Sequence, residues 1–403
     1  MRTAYKVRAY PDPEQVAILS RTFGCVRVVW NRTLAARQHA YTTTGQGTSY
    51  AQTDAALTAM KRDPEFEWLS EVSSVPLQQT LRHQYKAYQA FFAKRAKYPR
   101  FKSRNGKQSA TYTRSAFRIK DGDLWLAKTA APLRIVWTWP GLDLATLNPT
   151  AVTVSRDPAG RYFVVLHVDT ADPDPMPPTG EPVGVDLGLK DFAVLSTGER
   201  IAHPNLLRAK ERRLARYQRM MARKRRGSAN RTKAKVKIAR QHAKVADARR
   251  DFLHKASTDL IRRFDTIVVE DLAVANMVRN RRLAKSISDS GWGEFRSMLT
   301  YKASRYGRTM VVVNRWYPSS KTCSACGHLL ATLSLGTRRW ACPGCGTLHD
   351  RDINAAKNIL AVGLAVARTG NACGDGVSRQ GSALPLSLMN QEFQPEKVGI
   401  PRL

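Results

Sequence analysis

The period of apolar and polar positions changes along the chain and divides it into regions. The first residues alternate apolar and charged side chains up to a turn at 11–13, which predicts a strand of about eight residues. From 14 to 100 the apolar residues recur at three- and four-residue spacing, which predicts mostly helices. From 107 to 168 short strand-like pieces alternate with Gly, Asp and Pro turns. We expect a β-rich unit that the first strand completes by pairing across the helical insertion.

One apolar stripe within the helical region has two interpretations. It consists of Leu77, Leu81, Tyr85, Tyr88 and Phe92, with lysines and arginines around it. Core packing is the interpretation we prefer, because helix stripes usually face a core. Base stacking is the alternative, because the stripe is aromatic and flanked by cations.

The Pro-rich segment 171–180 cannot hold regular structure and predicts an inter-domain linker. Beyond it, alternating strands and helices predict an α/β domain with a mixed sheet. The predicted elements are strands at 183–187 and 191–196, a helical region at 206–263, a strand at 266–270, a helix at about 294–306, a strand at 309–313, a cysteine-rich insertion at 321–347 and a helix at 352–367. Residues 371–403 lack periodicity, which predicts a disordered tail.

The charge of the chain changes this picture from a generic multidomain protein to one with a polyanionic partner. Lys and Arg total 66 against 32 Asp and Glu, giving a net charge of +34. Such a field attracts phosphate backbones or anionic membranes. No apolar run approaches the roughly 20 residues of a membrane span, so we expect nucleic acid and no membrane.

The basic residues concentrate in one stretch. Between Leu206 and Arg250 there are eighteen Lys or Arg and two acidic residues. The predicted nucleic-acid contacts within it are Arg223, Lys224, Arg225, Arg226, Arg231 and Lys233. A solvated helix face is the alternative, since charge runs are often only that.

Four of the six cysteines form two CxxC pairs. Cys323 and Cys326 are separated by fifteen residues from Cys342 and Cys345. Each pair can bend round one side of a tetrahedral ion, and a glycine after the second cysteine permits the tight turn. This spacing predicts a structural Zn²⁺ site with no open coordination position. A redox CxxC is the alternative, but it would need one pair inside a thioredoxin-like unit.

Three carboxylates lie at the ends of predicted elements of the α/β domain. Asp186 follows a strand with glycines on both sides, which leave room for an approaching backbone or ion, and Glu270 ends the next apolar strand. Asp352 lies in the first turn of the last helix, where Asp350 is the more natural N-cap. Each could simply cap an element or complement a helix dipole. Together, the three could hold two Mg²⁺ or Mn²⁺ ions and hydrolyse a phosphodiester.

These residues resemble one known family, the transposon-encoded TnpB (OrfB) proteins, which are related to type V CRISPR effector nucleases. The segments that carry the resemblance are 184–189, 268–272, 317–327 and 350–359, together with 5–11 and 97–102. The resemblance covers about residues 1 to 370.

The resemblance implies an RNA-guided DNA endonuclease with a RuvC-like (RNase H-fold) domain, whose catalytic triad would be Asp186, Glu270 and Asp352. It also implies a domain order: a wedge-like β-barrel at 1–12 and 101–170, a helical recognition lobe at 13–100, the linker at 171–180, the RuvC-like domain at 181–320 and 350–370, and the zinc-binding insertion at 321–349.

The partners that the resemblance implies are a guide RNA from the transposon end and target double-stranded DNA beside a short adjacent motif. The protein would be a monomer with one RNA in the prokaryotic cytoplasm, at the nucleoid when bound to DNA. Two alternatives remain: an RNA-guided DNA-binding repressor that does not cut, and a DNA transposase or accessory protein. Intact acids at all three triad positions favour the nuclease.

Overall fold

The computed structural model describes residues 2–139, 141–334 and 336–372, which form two units. Of the described residues, the first unit contains those up to 171 together with 220–240, and the second contains 172–219 and those from 241 to 372. The division after 171 coincides with the start of the predicted linker. Within the described part of the chain, no helix is long and apolar enough to cross a membrane.

The first unit contains a five-stranded antiparallel sheet in the order β2-β6-β7-β1-β5. Its strands are β1 (Arg2–Ala9), β2 (Gln108–Thr113), β5 (Ile135–Val136), β6 (Ala151–Arg156) and β7 (Tyr162–Asp169), and a separate hairpin is formed by β3 (Phe117–Lys120) and β4 (Asp123–Leu126). Pairing of β1 with β7 confirms that the first strand completes the sheet across the helical insertion. The predicted barrel is not closed in the described residues, because β2 and β5 are the two edges of an open sheet.

The helical insertion of this unit is formed by α1 (Pro13–Thr44), α2 (Tyr50–Arg62), a 3₁₀ segment (Pro64–Glu71) and α3 (Ser74–Phe92). Asp12 caps α1, since its side chain accepts from the backbone N–H of Gln15. The helices pack on the sheet through side chains such as Leu19 and Val29, which are fully buried.

The apolar stripe of α3 divides into two halves. Leu77 and Leu81 are buried in the core, as predicted. Core packing is wrong for the second half, because Tyr85 is 39% and Phe92 is 74% exposed. There the aromatic rings pack on one another, with the ring of Phe92 6.3 Å from that of Tyr88.

The second unit contains a mixed five-stranded sheet in the order β10-β9-β8-β11-β12. Its strands are β8 (Pro182–Leu187), β9 (Asp191–Leu195), β10 (Arg200–Ala202), β11 (Thr266–Glu270) and β12 (Thr309–Val313). The strands β8, β11 and β12 are parallel, and β9 and β10 extend the sheet in the antiparallel sense. The predicted mixed sheet is therefore confirmed.

The remaining elements follow the predicted order. They are α4 (Leu206–Ala222), α5 (Ala229–Arg263), α6 (Val274–Met277), α7 (Ala284–Ser290), α8 (Trp292–Tyr306), the short strands β13 (Arg339–Ala341) and β14 (Leu348–Asp350), and α9 (Arg351–Ala372). The core of the second unit centres on Phe192, whose ring meets those of Phe252 and Phe295 edge to face, each with centroids 4.9 Å apart. The disordered tail predicted at 371–403 is wrong for its first two residues, which end α9, and the rest of it lies outside the described residues from Cys373 onward.

The predicted linker at 171–180 has no helix or strand, but its second half is bound to the second unit. Asp265 accepts hydrogen bonds from the backbone N–H groups of Thr179 and Gly180, at 2.9 and 2.7 Å. The guanidinium of Arg308 donates to the carbonyls of Pro177 and Ile261. This part of the segment is therefore a fixed strap and not a free tether.

We expect Arg308→Ala to lower the free energy of unfolding by about 3 kcal/mol, because removing a buried, paired arginine leaves its partners without compensation. The side chain of Arg308 is 3% exposed and lies 2.6 Å from Asp265. The measurement is urea unfolding followed by tryptophan fluorescence. Arg250→Ala is the control, since its ion pair with Glu294 is exposed and should contribute less than about 1 kcal/mol. Equal losses in the two variants would contradict the strap.

Candidate active site

Two parallel strands bring Asp186 and Glu270 side by side. Val185 on β8 is paired with Val269 on β11, so the next residue on each strand is the carboxylate. Neighbouring strands lie about 4.8 Å apart, and residues in register point to the same face. The carboxyl end of β11 is also where α/β sheets tend to place ligands.

Helix α9 brings the third carboxylate to the same place, and a glycine makes that approach possible. A Cβ atom on Gly184 would lie only 2.1 Å from the carbonyl oxygen of Ala356. The backbone of α9 therefore rests directly on β8, two residues before Asp186 and one helical turn after Asp352. Gly184 was expected to leave room for an approaching backbone or ion, and the structure shows that it leaves room for the backbone of α9.

Asp350 is the N-cap of α9, as predicted. Its Oδ1 accepts from the backbone N–H groups of Asp352 and Ile353 at 3.1 and 3.2 Å. The carboxylate of Asp352 is thus not needed to cap the helix.

The electrostatics show that the three carboxylates share one environment. Burial, together with the negative charges of Glu270 and Asp352, raises the pKa of Asp186 to about 7. Burial also raises the pKa of Glu270. Burial and mutual repulsion both disfavour the charged form of these carboxylates, and a cation bound among them would relieve both effects. The cluster is therefore a candidate cation site. Among the described residues, the group whose ligand atoms all lie within 4.8 Å of one another is the cysteine site described below, so the three carboxylates are less closely gathered than the cysteines.

Two arginines that sequence reasoning missed neutralise the rim of this cluster. Arg338, from the cysteine-rich insertion, donates to both oxygens of Asp352 at 3.3 and 3.5 Å. Arg200 on β10 pairs with Asp350 at 2.8 Å and lies 3.7 Å from Asp352. The only sequence signal for Arg338 was its place in an Arg-rich hairpin between the cysteine pairs.

Ser319 orients the second carboxylate. Its hydroxyl donates to Oε1 of Glu270 at 2.5 Å. Two buried asparagines of α9 hold the backbone that carries this serine: Asn358 donates to the carbonyl of Ser319 at 2.8 Å, and both Asn354 and Asn358 donate to that of Thr322 at 2.7 and 2.6 Å. The helix that carries Asp352 therefore also positions Glu270.

The four predicted cysteines lie together. The sulfurs of Cys323 and Cys345 are 3.7 Å apart, and those of Cys326 and Cys342 are 3.6 Å apart. Such spacings suit four thiolates round one tetrahedral ion with Zn–S bonds of about 2.3 Å. Both turns contain the predicted glycine in the left-handed region, at φ 78° and 71°. The cluster could bind zinc.

The cysteine cluster is linked to the acidic site through one histidine. The Nε2 atom of His349 lies 3.0 Å from the sulfur of Cys323, and its ring packs against that of Trp340 at a tilt of 39°, with centroids 4.7 Å apart. His349 directly precedes Asp350, the N-cap of α9. Ser324, within the first cysteine pair, also donates its backbone N–H to Asn354 at 2.9 Å. The cysteine cluster and the N-terminal end of α9, which carries Asp352, are therefore held together by direct contacts.

The predicted nucleic-acid contacts lie at the turn between α4 and α5 and at the start of α5. Arg223, Arg225, Arg226 and Lys233 are exposed, and Lys224 is half-buried. The guanidinium of Arg231 is engaged, because its Nη1 donates to the carbonyls of Met221 and Lys224 at 2.9 Å. We therefore expect Arg231 to stabilise the turn, while the exposed residues remain available to a phosphate.

Comparison with protein families gives matches over most of this sequence. Residues 164–281 match the OrfB/IS605 model, described as "Probable transposase". Residues 292–359 match the Cas12f1-like TNB domain, and residues 1–46 match a helix-turn-helix domain. The TNB match contains all four cysteines. Residues 2–46 are folded here as the strand β1 and the single helix α1.

Whole-chain relatives point the same way. A protein of Streptomyces pristinaespiralis named RNA-guided DNA endonuclease is 52% identical over 100% of this chain and 99% of its own length. The RNA-guided DNA endonuclease InsQ of Escherichia coli strain K12 is 33% identical over 92% of this chain and 94% of its own. Among solved structures, Cas12f1 in a complex with sgRNA and target DNA has the same fold, with a TM-score of 0.54 and 13% identity over 89% of this chain and 98% of that one. With these matches and the motifs described above, the chain is a member of the TnpB (OrfB) family.

Proposed function

We propose that this protein is an RNA-guided DNA endonuclease that hydrolyses target DNA at Asp186, Glu270 and Asp352. The observation that carries the proposal is the pairing of β8 with β11 and the close packing of α9 on β8. Together they bring three elements that carry carboxylates distant in sequence to one place. The names of the two whole-chain relatives agree with it. A generic basic RNA-binding protein with a zinc ribbon would have no need for this arrangement.

The donor set fits Mg²⁺ or Mn²⁺. All three candidate ligands are carboxylates, which these ions prefer, whereas the thiolates nearby suit zinc. When bound, such ions activate a water molecule and stabilise the leaving oxygen of a phosphodiester.

The chain's own residues would then act as follows. Asp186, whose pKa is raised to about 7, would have to be deprotonated to act as a ligand, and burial likewise raises the pKa of its partner Glu270. Ser319 would hold Glu270 in one orientation through its 2.5 Å hydrogen bond. Arg338 donates to the carboxylate of Asp352. If Asp352 held a metal ion instead, the guanidinium of Arg338 would be free to donate to a phosphate oxygen.

The parts of the chain would have different functions. Residues 181–320 and 350–370 would form the RuvC-like nuclease domain, with 321–349 as a zinc-binding insertion. Residues 1–12 and 101–170 would act as the wedge, and 13–100 would be the recognition lobe that binds the guide RNA. Each protein monomer would carry one guide RNA. The Cas12f1 structure, determined with sgRNA and target DNA, supports both nucleic acids as partners.

The basic turn would hold the backbone of the bound nucleic acid. Its exposed cations include Arg223, Arg225, Arg226 and Lys233. Contacts of this kind give affinity without sequence preference, so base pairing with the guide would supply the specificity.

The experiment that tests this function is expression of the gene with its flanking DNA, followed by sequencing of the RNA that co-purifies. We expect one discrete RNA ending in a variable segment, and Mg²⁺-dependent cutting of DNA that matches this segment. Cutting that survives RNase treatment would indicate a transposase acting without a guide. Binding of matched DNA without any cutting would indicate a repressor, and random RNA fragments would leave only general polyanion binding.

A further inference from the structure

Trp316 is the most exposed aromatic side chain among the described residues, at 79%. Phe92, at 74%, differs because its ring lies against those of Tyr88 and Phe91. In the part of the chain that the structure describes, Trp316 has no ring partner and no cation over its face. A single exposed apolar side chain is common on protein surfaces, so the significance of Trp316 depends on its position in the chain and on the charges beside it.

Both ends of the loop that carries Trp316 lie next to Glu270. Val313, the last residue of β12, is paired with Glu270 across the sheet. Ser319, six residues later, contacts the carboxylate of Glu270 at 2.5 Å. Trp316 is midway between them, so its backbone is at most about 10 Å of extended chain from either end. The backbone of Trp316 therefore lies close to Glu270, one of the three carboxylates.

The backbone of this loop is held on both sides of the tryptophan. Asn314 accepts from the N–H of Trp316 at 2.9 Å through its side chain and from the N–H of Tyr317 at 3.1 Å through its carbonyl. Arg315 is bound to Asp271, which also accepts from Arg296 at 2.5 Å. The indole is thus presented on an ordered support, and stacking on it would cost little loop entropy.

The charge beside the indole favours a polyanion. Two arginines, Arg296 and Arg315, share the single carboxylate of Asp271, and Arg315 directly precedes Trp316 in the chain. A flat apolar face beside a cation, at the edge of a phosphodiester-cutting site, suits an unpaired nucleotide: the base stacks and the phosphate is neutralised.

We propose that Trp316 is a stacking platform for an unpaired base of the DNA strand that is cut, beside the phosphodiester that is hydrolysed at Asp186, Glu270 and Asp352. The proposal rests on the proposed function and adds the binding site that places the strand. Stacking fixes the base and so brings the neighbouring phosphodiester into line with the carboxylates. Since every base has a π-face, the platform would be tolerant of sequence.

A binding experiment that requires no cutting tests this directly. The full chain as Asp186→Asn is mixed with a short single-stranded oligodeoxynucleotide, and tryptophan fluorescence is compared with that of Asp186→Asn/Trp316→Phe. We expect quenching that depends on Trp316 and that disappears when the oligonucleotide is replaced by an abasic one. Identical quenching in the two proteins would overturn the proposal.

A cleavage experiment identifies the base that stacks. Target DNAs with one abasic position each, near the cut, are given to the guide-loaded protein. We expect one position to slow the wild type about 10-fold or more, and Trp316→Ala to slow intact DNA equally but to be indifferent to that position. Trp316→Phe keeps an aromatic face and should retain most of the rate. Because the side chain is exposed, neither substitution should affect folding.

The outcomes separate this proposal from the proposed function. If the wild type cuts guided DNA and Trp316→Ala cuts at the same rate with the same abasic profile, only the stacking platform is wrong. If the wild type cuts nothing but Trp316-dependent quenching is observed, the platform stands and the endonuclease proposal fails. Normal cutting together with loss of a protein partner in Trp316→Ala would make the surface a protein contact and overturn the platform.

Discussion

Asp186→Asn is expected to abolish guided DNA cleavage, by at least about 10³-fold, while guide RNA and target DNA still bind. Asparagine keeps the size of the side chain but removes the negative charge that an ion requires. Burial and the two neighbouring carboxylates already raise the pKa of Asp186 to about 7, so the negative charge of this carboxylate is strongly affected by its surroundings. The measurement is the single-turnover cleavage rate with excess protein, and binding is followed by gel shift.

The same substitution is expected to stabilise the metal-free protein above pH 7. The pKa of Asp186 is about 7 when folded and 3.8 by its ordinary value, so the folded state holds the extra proton between these values. Stability therefore falls as pH rises through this window, by up to about 4 kcal/mol for a shift of about three units. The excess stability of Asp186→Asn should be full at pH 8 and should shrink towards pH 4.

Asp259→Asn is the matched control for both measurements, because Asp259 is an exposed carboxylate on α5 paired with Arg263. It should cut at the wild-type rate and show no comparable gain in stability. Added Mg²⁺ should raise the melting temperature of the wild type and the control but not that of Asp186→Asn. Cleavage by Asp186→Asn within tenfold of the wild type would place the chemistry elsewhere in the molecule.

Cys342→Ser is expected to remove the zinc, unfold the insertion and reduce guided cleavage to background. An insertion of this size has little core of its own, so its folding depends on the metal. The loss should reach the carboxylates, because Ser324 in the first cysteine pair binds Asn354, and Asn358 holds the backbone of Ser319 against Glu270. Zinc content by mass spectrometry and the cleavage rate are the two measurements.

Cys25→Ser is the control for the loss of a thiol. Cys25 is buried in the first unit, and burial raises its pKa to about 11, so it is a neutral thiol there. This variant should retain one equivalent of zinc and its cleavage. A Cys342→Ser protein that also retained a full equivalent would show that the four cysteines do not hold the ion together.

Features that depend on neighbouring residues were predictable from the sequence. The CxxC pairs with their glycines, the capping of α9 by Asp350 and the strands of the second unit are all local, because turn geometry, capping and side-chain period involve only a few consecutive residues. Even the gathering of Asp186 and Glu270 followed from a general rule about the ends of parallel strands. The resemblance to the family rested on these same short segments.

The tertiary structure decided what depends on contacts between distant residues. Nothing in the pattern indicated that Arg338 would reach Asp352, that Arg231 would be engaged by its own turn, or that Arg308 would fasten the predicted linker. The period of α3 could not distinguish a ring that meets the core from one that meets other rings, as at Phe92. An amino-acid sequence records which side chains are apolar or charged, but the partner of a side chain depends on how the elements pack. The candidate ligand groups and the family of this protein could therefore be recognised from its sequence, whereas the contacts that surround those groups came only from the fold.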